Sequence, residues 1–180
     1  MRIITGLAKG RRLAAPRGGG TRPMTDRAKE GVFSSLGASV AGARVLDLFA
    51  GSGSLGLEAL SRGAAEAVFV ERARPALAAL RANLATVGLG GRVVAADVDA
   101  YLDAAAGPFD LAFVDPPYAL SLASVERTLG KLAPRLAAGA VVVLHRRAGE
   151  GPGPLPGLAV IDRRRYGDTE ITRLVKEDGL

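Results

Sequence analysis

Apolar and polar positions change rhythm once along this chain, near residue 44. Before that point only one stretch has helical spacing: Ala28, Val32, Phe33 and Leu36 share a stripe, Thr25 or Asp26 stands at the cap position, and Gly37 follows as a stop. Ahead of this helix, short apolar and basic pieces at residues 2–4 and 11–14, around Gly6 and Lys9-Gly10, predict a small hairpin. The run Gly18-Gly19-Gly20 between the two reads as a hinge or tip. From Arg44 onward, short apolar runs alternate with helical stretches. Strands are predicted over Val45 to Phe49, Ala67 to Val70, Arg92 to Ala96, Leu111 to Val114 and Ala140 to Leu144. Helices are predicted near Leu55 to Arg62, Pro75 to Val87, Val98 to Ala104 and Ser121 to Leu136. This alternation implies an α/β fold with a doubly wound, mostly parallel sheet and right-handed crossovers. Runs such as Val-Leu-Asp-Leu-Phe lack polar alternation, as strands buried on both faces should. Gly149 to Gly157 is rich in Gly and Pro and reads as a loop. Beyond it, Leu158 to Arg165 and Glu170 to Val175 predict an antiparallel pair around Tyr166-Gly167-Asp168-Thr169, which brings the sheet to seven strands.

Composition narrows the picture. A chain of 180 residues can bury one proper core, and its 48% apolar content argues against disorder. The absence of cysteine excludes disulfides and thiolate metal sites, and a single histidine, His145, makes a histidine-based metal site improbable. His145 follows the fifth predicted strand and reads as structural. The first residues lack the apolar core of a signal peptide and no run approaches a membrane span, so a cytoplasmic protein is expected. Charge is the uneven feature. Residues 1–36 hold eight basic side chains, Arg2, Lys9, Arg11, Arg12, Arg17, Arg22, Arg27 and Lys29, against Asp26 and Glu30, so the whole net charge of +6 sits there. A basic arm on a neutral body is the electrostatic footprint of a polyanion. The division expected is a basic arm and helix over residues 1–43, packed on a core domain over residues 44–180, with Arg22, Arg27 and Lys29 facing a ligand.

Ligands of doubly wound sheets bind beyond the carboxyl ends of the strands. The first strand delivers Asp47 and Phe49 into a glycine turn with Gly51 and Gly53, which lets the backbone come close to a ligand. That turn also spans the dinucleotide pattern through Gly56. Asp47, however, would stand unfavourably near a pyrophosphate, whereas it suits the cationic amino acid end of S-adenosylmethionine. Glu71 at the second strand end can accept ribose hydroxyl protons, which both NAD and S-adenosylmethionine offer. Asp97 and Val98 at the third can meet an adenine edge. The fourth ends in Asp115-Pro116-Pro117-Tyr118: a carboxylate, two residues without a backbone N–H, and an aromatic face. A planar group bearing an amino nitrogen suits that corner, with the ring on Tyr118 and the N–H groups on Asp115 and the Pro116 carbonyl. Singly, each acid also reads as a helix cap or turn residue.

Four stretches together resemble the bacterial 16S ribosomal RNA guanine-N2 methyltransferase family: the arm from Arg2 to Leu36, the glycine turn from Asp47 to Gly63, Asp115 to Tyr118, and the tail from Tyr166 to Thr172. The arm is the most specific of these, because glycine turn plus Asp-Pro-Pro-Tyr also resembles adenine-N6 and glutamine-N5 methyltransferases. The resemblance implies a class I fold, S-adenosylmethionine as cofactor, no metal, and an exocyclic guanine amine in 16S rRNA, free or in an assembling 30S particle, as substrate of a monomeric enzyme. It implies catalytic Asp115, Pro116 and Tyr118, cofactor contacts from Asp47, Phe49, Gly51, Gly53, Glu71, Asp97, Val98 and Asp115, and phosphate contacts from Arg2, Lys9, Arg11, Arg12 and Arg17. Arg22 and Thr25 would approach the cofactor or the target base. Met24 and Ser34 depart from the Thr and Asn that the pattern has there. A non-catalytic RNA-binding assembly factor is the rival of a different class.

Overall fold

The computed structural model describes residues 1–18, 23–105 and 107–178. Five strands come from the runs that lacked alternation or bordered them: β1 (Arg44–Leu48), β2 (Glu66–Glu71), β3 (Arg92–Ala95), β4 (Phe109–Val114) and β5 (Leu136–Arg147). An antiparallel hairpin, β6 (Leu158–Tyr166) and β7 (Thr169–Lys176), completes one seven-stranded sheet in the order β3-β2-β1-β4-β5-β7-β6. Pairing is parallel from β3 through β5, and β7 runs antiparallel to both β5 and β6. The order reverses between β1 and β4, which is where a crevice opens at the strand ends.

Period-two alternation divides each central strand between two cores. Val45, Phe69, Leu111 and Phe113 face α1 (Asp26–Leu36), α2 (Ser54–Ser61) and α3 (Arg74–Val87). Leu46, Leu48, Ala112 and Val114 face α4 (Val98–Ala104) and α5 (Leu122–Leu132). Among the described residues no helix is long and apolar enough to cross a membrane.

Two elements differ most from expectation. The last long helix stops at Leu132 and gives way to a short 3-10 turn, Ala133–Arg135, because Pro134 cannot extend the hydrogen-bond ladder. β5 begins earlier and ends later than its apolar run. Its last three residues, His145, Arg146 and Arg147, are polar, yet they pair with Ile171, Glu170 and Thr169 of β7.

The arm is a tight hairpin: Arg2 bridges Arg12, and Ile3 N–H donates to the Arg11 carbonyl at 2.9 Å. Its apolar residues Ile3, Ala8 and Leu13 are buried in the same core as α1 and α2. At Gly6, φ is +90° and a Cβ would lie 1.8 Å from the Ser61 carbonyl oxygen, so only glycine permits the approach. Glu58 on α2 holds the arm. Its carboxylate, fully buried, accepts the Ile4 N–H at 2.8 Å and the Thr5 N–H at 3.1 Å. Arg62 Nε lies 2.8 Å from Oε1 and Lys29 Nζ 3.5 Å from Oε2. Asn83 on α3 makes a second clasp, accepting the Ala14 N–H and donating to the Ala14 and Ser52 carbonyls.

Lys29 is therefore not available to a ligand, contrary to expectation. It is 1% exposed, and its ammonium donates to the Arg2 carbonyl at 2.6 Å and to Ser54 Oγ at 3.1 Å. Burial lowers its pKa, and the nearby Glu58 opposes that shift. The helical spacing carried the signal, since Lys29, Phe33 and Leu36 lie on the same stripe as the apolar positions. Arg27 is exposed; the expectation for Arg22 falls outside the described residues, as does part of the Gly18-Gly19-Gly20 tip.

Removing the Glu58 carboxylate leaves a buried ammonium uncompensated. Glu58→Ala is expected to cost about 3–5 kcal/mol in chemical denaturation and to expose the Ile3 to Ala14 segment to limited proteolysis. A loss of under about 1 kcal/mol, the range of an exposed pair, would contradict the clamp.

Candidate active site

A cavity of about 740 Å³ opens at the carboxyl ends of the strands, on the side where the sheet order reverses. Its walls include Asp47, Phe49, Gly51, Glu71, Asp97, Val98, Asp115, Pro116 and Tyr118. Four neighbouring strands, β3, β2, β1 and β4, each contribute one acid. Arm residues Met1, Ala15, Pro16, Arg17, Gly18, Pro23 and Met24 close another side. Gly53 does not line the cavity. It is the cap of α2 at φ +81°, where a Cβ would lie 2.4 Å from Leu80. Arg2, Lys9, Arg11 and Arg12 are exposed and lie outside the cavity wall, and Thr25 caps α1 by accepting the Ala28 N–H at 3.2 Å.

Asp47 is 1% exposed and accepts the Gly56 N–H at 2.9 Å. Burial pushes its pKa well above the ordinary 3.8, the Gly56 hydrogen bond opposes this, and Asp115 and Glu71 add to it. A positive charge brought beside Asp47 in this cavity would stabilise its ionised form. Phe49 holds φ 57°, a conformation uncommon outside glycine that strained turns at ligand sites adopt. Glu71 fastens the glycine turn to β2: Oε2 accepts the Gly51 N–H at 2.9 Å, and Oε1 accepts those of Arg72 and Ala73 at 2.8 Å each. Asp97 caps α4 through Oδ1 and pairs with Arg72 at 3.1 Å through Oδ2. Asp97 is therefore a helix cap that also lines the cavity.

The Asp115 corner is braced by the extension of β5. His145 Nδ1 lies 2.9 Å from Asp115 Oδ1. The buried Arg146 donates to the Pro117 carbonyl at 3.1 Å and to the Leu120 carbonyl at 2.9 Å, and pairs with Glu150 at 2.7 Å. The Arg147 guanidinium stands over the Tyr118 ring, 5.0 Å from its centroid. Burial raises the Tyr118 pKa, and Asp115 adds to the shift. Pro116 is buried while Asp115 is partly open, with 31% of its side chain exposed. The sequence read His145 only as structural and gave Arg146 and Arg147 no role, because the apolar run ends at Leu144; the available signal was a lone histidine at the carboxyl end of a buried strand beside β4.

The donor set decides among ligands. Five carboxylates, Asp47, Glu71, Asp97, Asp99 and Asp115, line the cavity against the guanidiniums of Arg17, Arg72 and Arg127; that excess of acid disfavours a diphosphate and favours a cationic ligand, and a cavity of this size suits a cofactor. Fold and site together define a class I, S-adenosylmethionine-dependent methyltransferase. The chain belongs to the family described as Conserved hypothetical protein 95, whose model matches residues 1–175. The Putative rRNA methyltransferase YlbH of Bacillus subtilis is 40% identical over 177 residues, covering 95% of this chain and 96% of that one. Ribosomal RNA small subunit methyltransferase D of Escherichia coli is 44% identical over 133 residues, 73% of this chain and 66% of its own length. The solved structure titled Putative methyltransferase yhhF from Escherichia coli superposes with a TM-score of 0.87 at 36% identity, covering 98% of each chain.

The raised pKa of Asp47 makes stability depend on pH. A carboxyl that keeps its proton in the fold, where the unfolded chain has lost it, favours folding at acid pH. That contribution is lost as pH rises from about the ordinary 3.8 through the higher folded value. Asp47→Asn keeps an acceptor for the Gly56 N–H but cannot ionise. Its stability relative to the parent is expected to improve steadily in denaturation series from acid to neutral pH. A constant difference would remove Asp47 as the source.

Proposed function

We propose that this protein transfers a methyl group from S-adenosylmethionine to the exocyclic N2 amine of a guanine in 16S rRNA, acting in the cytoplasm as a monomer on free RNA or on an assembling 30S particle. The observation that carries this reading is that one cavity has in its walls both the acid-lined strand ends and the arm, the latter through Met1, Ala15 to Gly18, Pro23 and Met24, with Arg17 the basic residue among them. The amine-accepting corner and the arm that would bind a polyanion then adjoin. The names of the Bacillus subtilis and Escherichia coli relatives support the rRNA substrate.

Asp47 would take the cationic amino acid end of the cofactor, beside Phe49 and the Gly51 turn, with Gly53 setting the start of α2. Glu71 would meet the ribose. A carboxylate offers about four acceptor positions, and three backbone N–H groups already occupy Glu71, so it has room for one ribose hydroxyl rather than two. Asp97 and Val98 would border the adenine. When bound, S-adenosylmethionine supplies a methyl group activated by its sulfonium charge.

A guanine amine is a poor nucleophile because its lone pair is delocalised into the ring. Asp115 and the Pro116 carbonyl, accepting its two N–H groups, would let the nitrogen pyramidalise and aim its lone pair. A new N–C bond forms as the S–C bond breaks, and the nitrogen then sheds one proton, for which Asp115 is the adjacent acceptor. Tyr118 would hold the extruded base by stacking, worth about 1–3 kcal/mol, on the ring face opposite the Arg147 guanidinium. Alignment of the two reactants supplies much of the rate. Arg2, Lys9, Arg11, Arg12 and Arg17 would contact phosphates, with Arg22 beside them.

Incubation with unmodified small-subunit RNA or particles and labelled cofactor, followed by nucleoside mass spectrometry, is expected to yield N2-methylguanosine. Methyladenosine or methylated protein glutamine would refute the substrate, and absence of cofactor binding by calorimetry would refute the enzyme. Asp115→Ala is expected to bind cofactor and lose turnover by about 100-fold or more, the scale of a lost positioned proton acceptor.

The arm's apolar residues belong to the core, so its charge is best tested without deletion. Lys9, Arg12 and Arg17 changed together to Gln are expected to flatten the slope of log K against log salt for RNA binding by about 2–3. An unchanged slope would place the RNA elsewhere.

A further inference from the structure

His145 is the only histidine of the chain, 2% exposed, and sits where β5 passes beside the end of β4. Its Nδ1 is 2.9 Å from Asp115 Oδ1, while its Nε2 is buried with no hydrogen-bond partner among the described residues. Those two facts fix where the imidazole hydrogen belongs. With the hydrogen on Nε2, a buried N–H would have no acceptor and two lone pairs would face each other across 2.9 Å. With the hydrogen on Nδ1, the close contact becomes a hydrogen bond and only a lone pair is left over, the lesser cost.

The partner of this bond is the carboxylate at the reacting corner, and one of its two oxygens is thereby committed. Arg146 and Arg147, the next two residues, hold the Pro117 and Leu120 carbonyls and the Tyr118 ring. Consecutive residues of one strand thus fasten the carboxylate, the backbone and the aromatic face of the corner separately. Tyr118 adds a lateral restraint, its ring set edge-on to His145 at 6.3 Å between centroids.

We infer that His145 is a positioning residue for methyl transfer: by donating Nδ1–H to Asp115 Oδ1 it fixes the carboxylate so that Oδ2 faces the target amine. This rests on the methyl-transfer reading above. His145 touches neither substrate nor cofactor and acts only through Asp115. A carboxylate that can rotate loses the alignment of nitrogen and methyl, and small misplacements of that kind cost large factors in rate.

A single histidine makes the test direct. Protein labelled with 15N-histidine gives one imidazole spectrum, expected to show the Nδ1-protonated tautomer and to lose it in Asp115→Ala. An Nε2-protonated tautomer in the parent, or a spectrum unchanged by Asp115→Ala, overturns the pairing. In turnover assays on small-subunit RNA, His145→Leu is expected to lower kcat by about 10–100-fold with KM for S-adenosylmethionine within about twofold. His145→Asn, whose amide puts an N–H near the position of Nδ1, is expected to recover about tenfold of that loss. Parental kcat in His145→Leu, or an Asn variant no better than the Leu variant, overturns the role. The spectrum needs neither RNA nor activity, so a parent that methylates no RNA refutes the substrate while the spectrum still decides the pairing.

Discussion

The buried Glu58 carboxylate is the point on which the arrangement of arm, helix and glycine turn depends. It gathers two backbone N–H groups of the arm, a guanidinium and an ammonium in a place with no water exposure. Such a cluster is a poor source of net stability, because desolvation cancels much of the attraction. Its value is registry. An apolar replacement would let the hairpin slide, whereas a carboxylate with two oxygens and fixed donors accepts one position of Ile4 and Thr5. Lys29 extends the effect, since the same ammonium reaches the Arg2 carbonyl of the arm and Ser54 at the start of α2.

Electrostatics at the cavity run the other way. Around Glu58 every charge has a partner, but the strand ends concentrate carboxylates, and Asp47 is raised by burial and by its acidic neighbours. A site held in that state gains from any cation that enters it. The sheet supports the strain because its central strands are buried on both faces, so the strand ends have little room to move apart. The braces from β5 then fix the corner where the acids meet the substrate side.

Period and turn chemistry made most of the fold legible in the sequence: the buried strands, the glycine turn, the acids at strand ends and the terminal hairpin. What escaped was polar and buried. Lys29 lies on an apolar stripe but reads as surface charge by type, since lysine is seldom buried without a partner. His145 and Arg146 lengthen a strand whose hydrophobic run had ended, so neither pattern nor propensity could extend it. Their partners, Asp115 and the carbonyls of Pro117 and Leu120, lie about 30 residues away, a separation that no local rule bridges. The candidate site was legible as a set of residues, and its supports were not.

The Asp-Pro-Pro-Tyr corner by itself selects chemistry and not substrate, because any planar amine can occupy two acceptors beside an aromatic ring. Selection among amines has to come from what presents them. Under the proposed function the presenting surface is the arm, and the arm is clasped at Glu58, Ser61 and Asn83 as tightly as a core element. The offset between the arm's basic side chains and the corner is then set by the fold. A nucleic acid engaging both must supply a base at that offset, extruded and with its amine inward. Reading shape through a fixed distance is a sufficient basis for choosing one nucleotide in a structured RNA, with few direct contacts to its base.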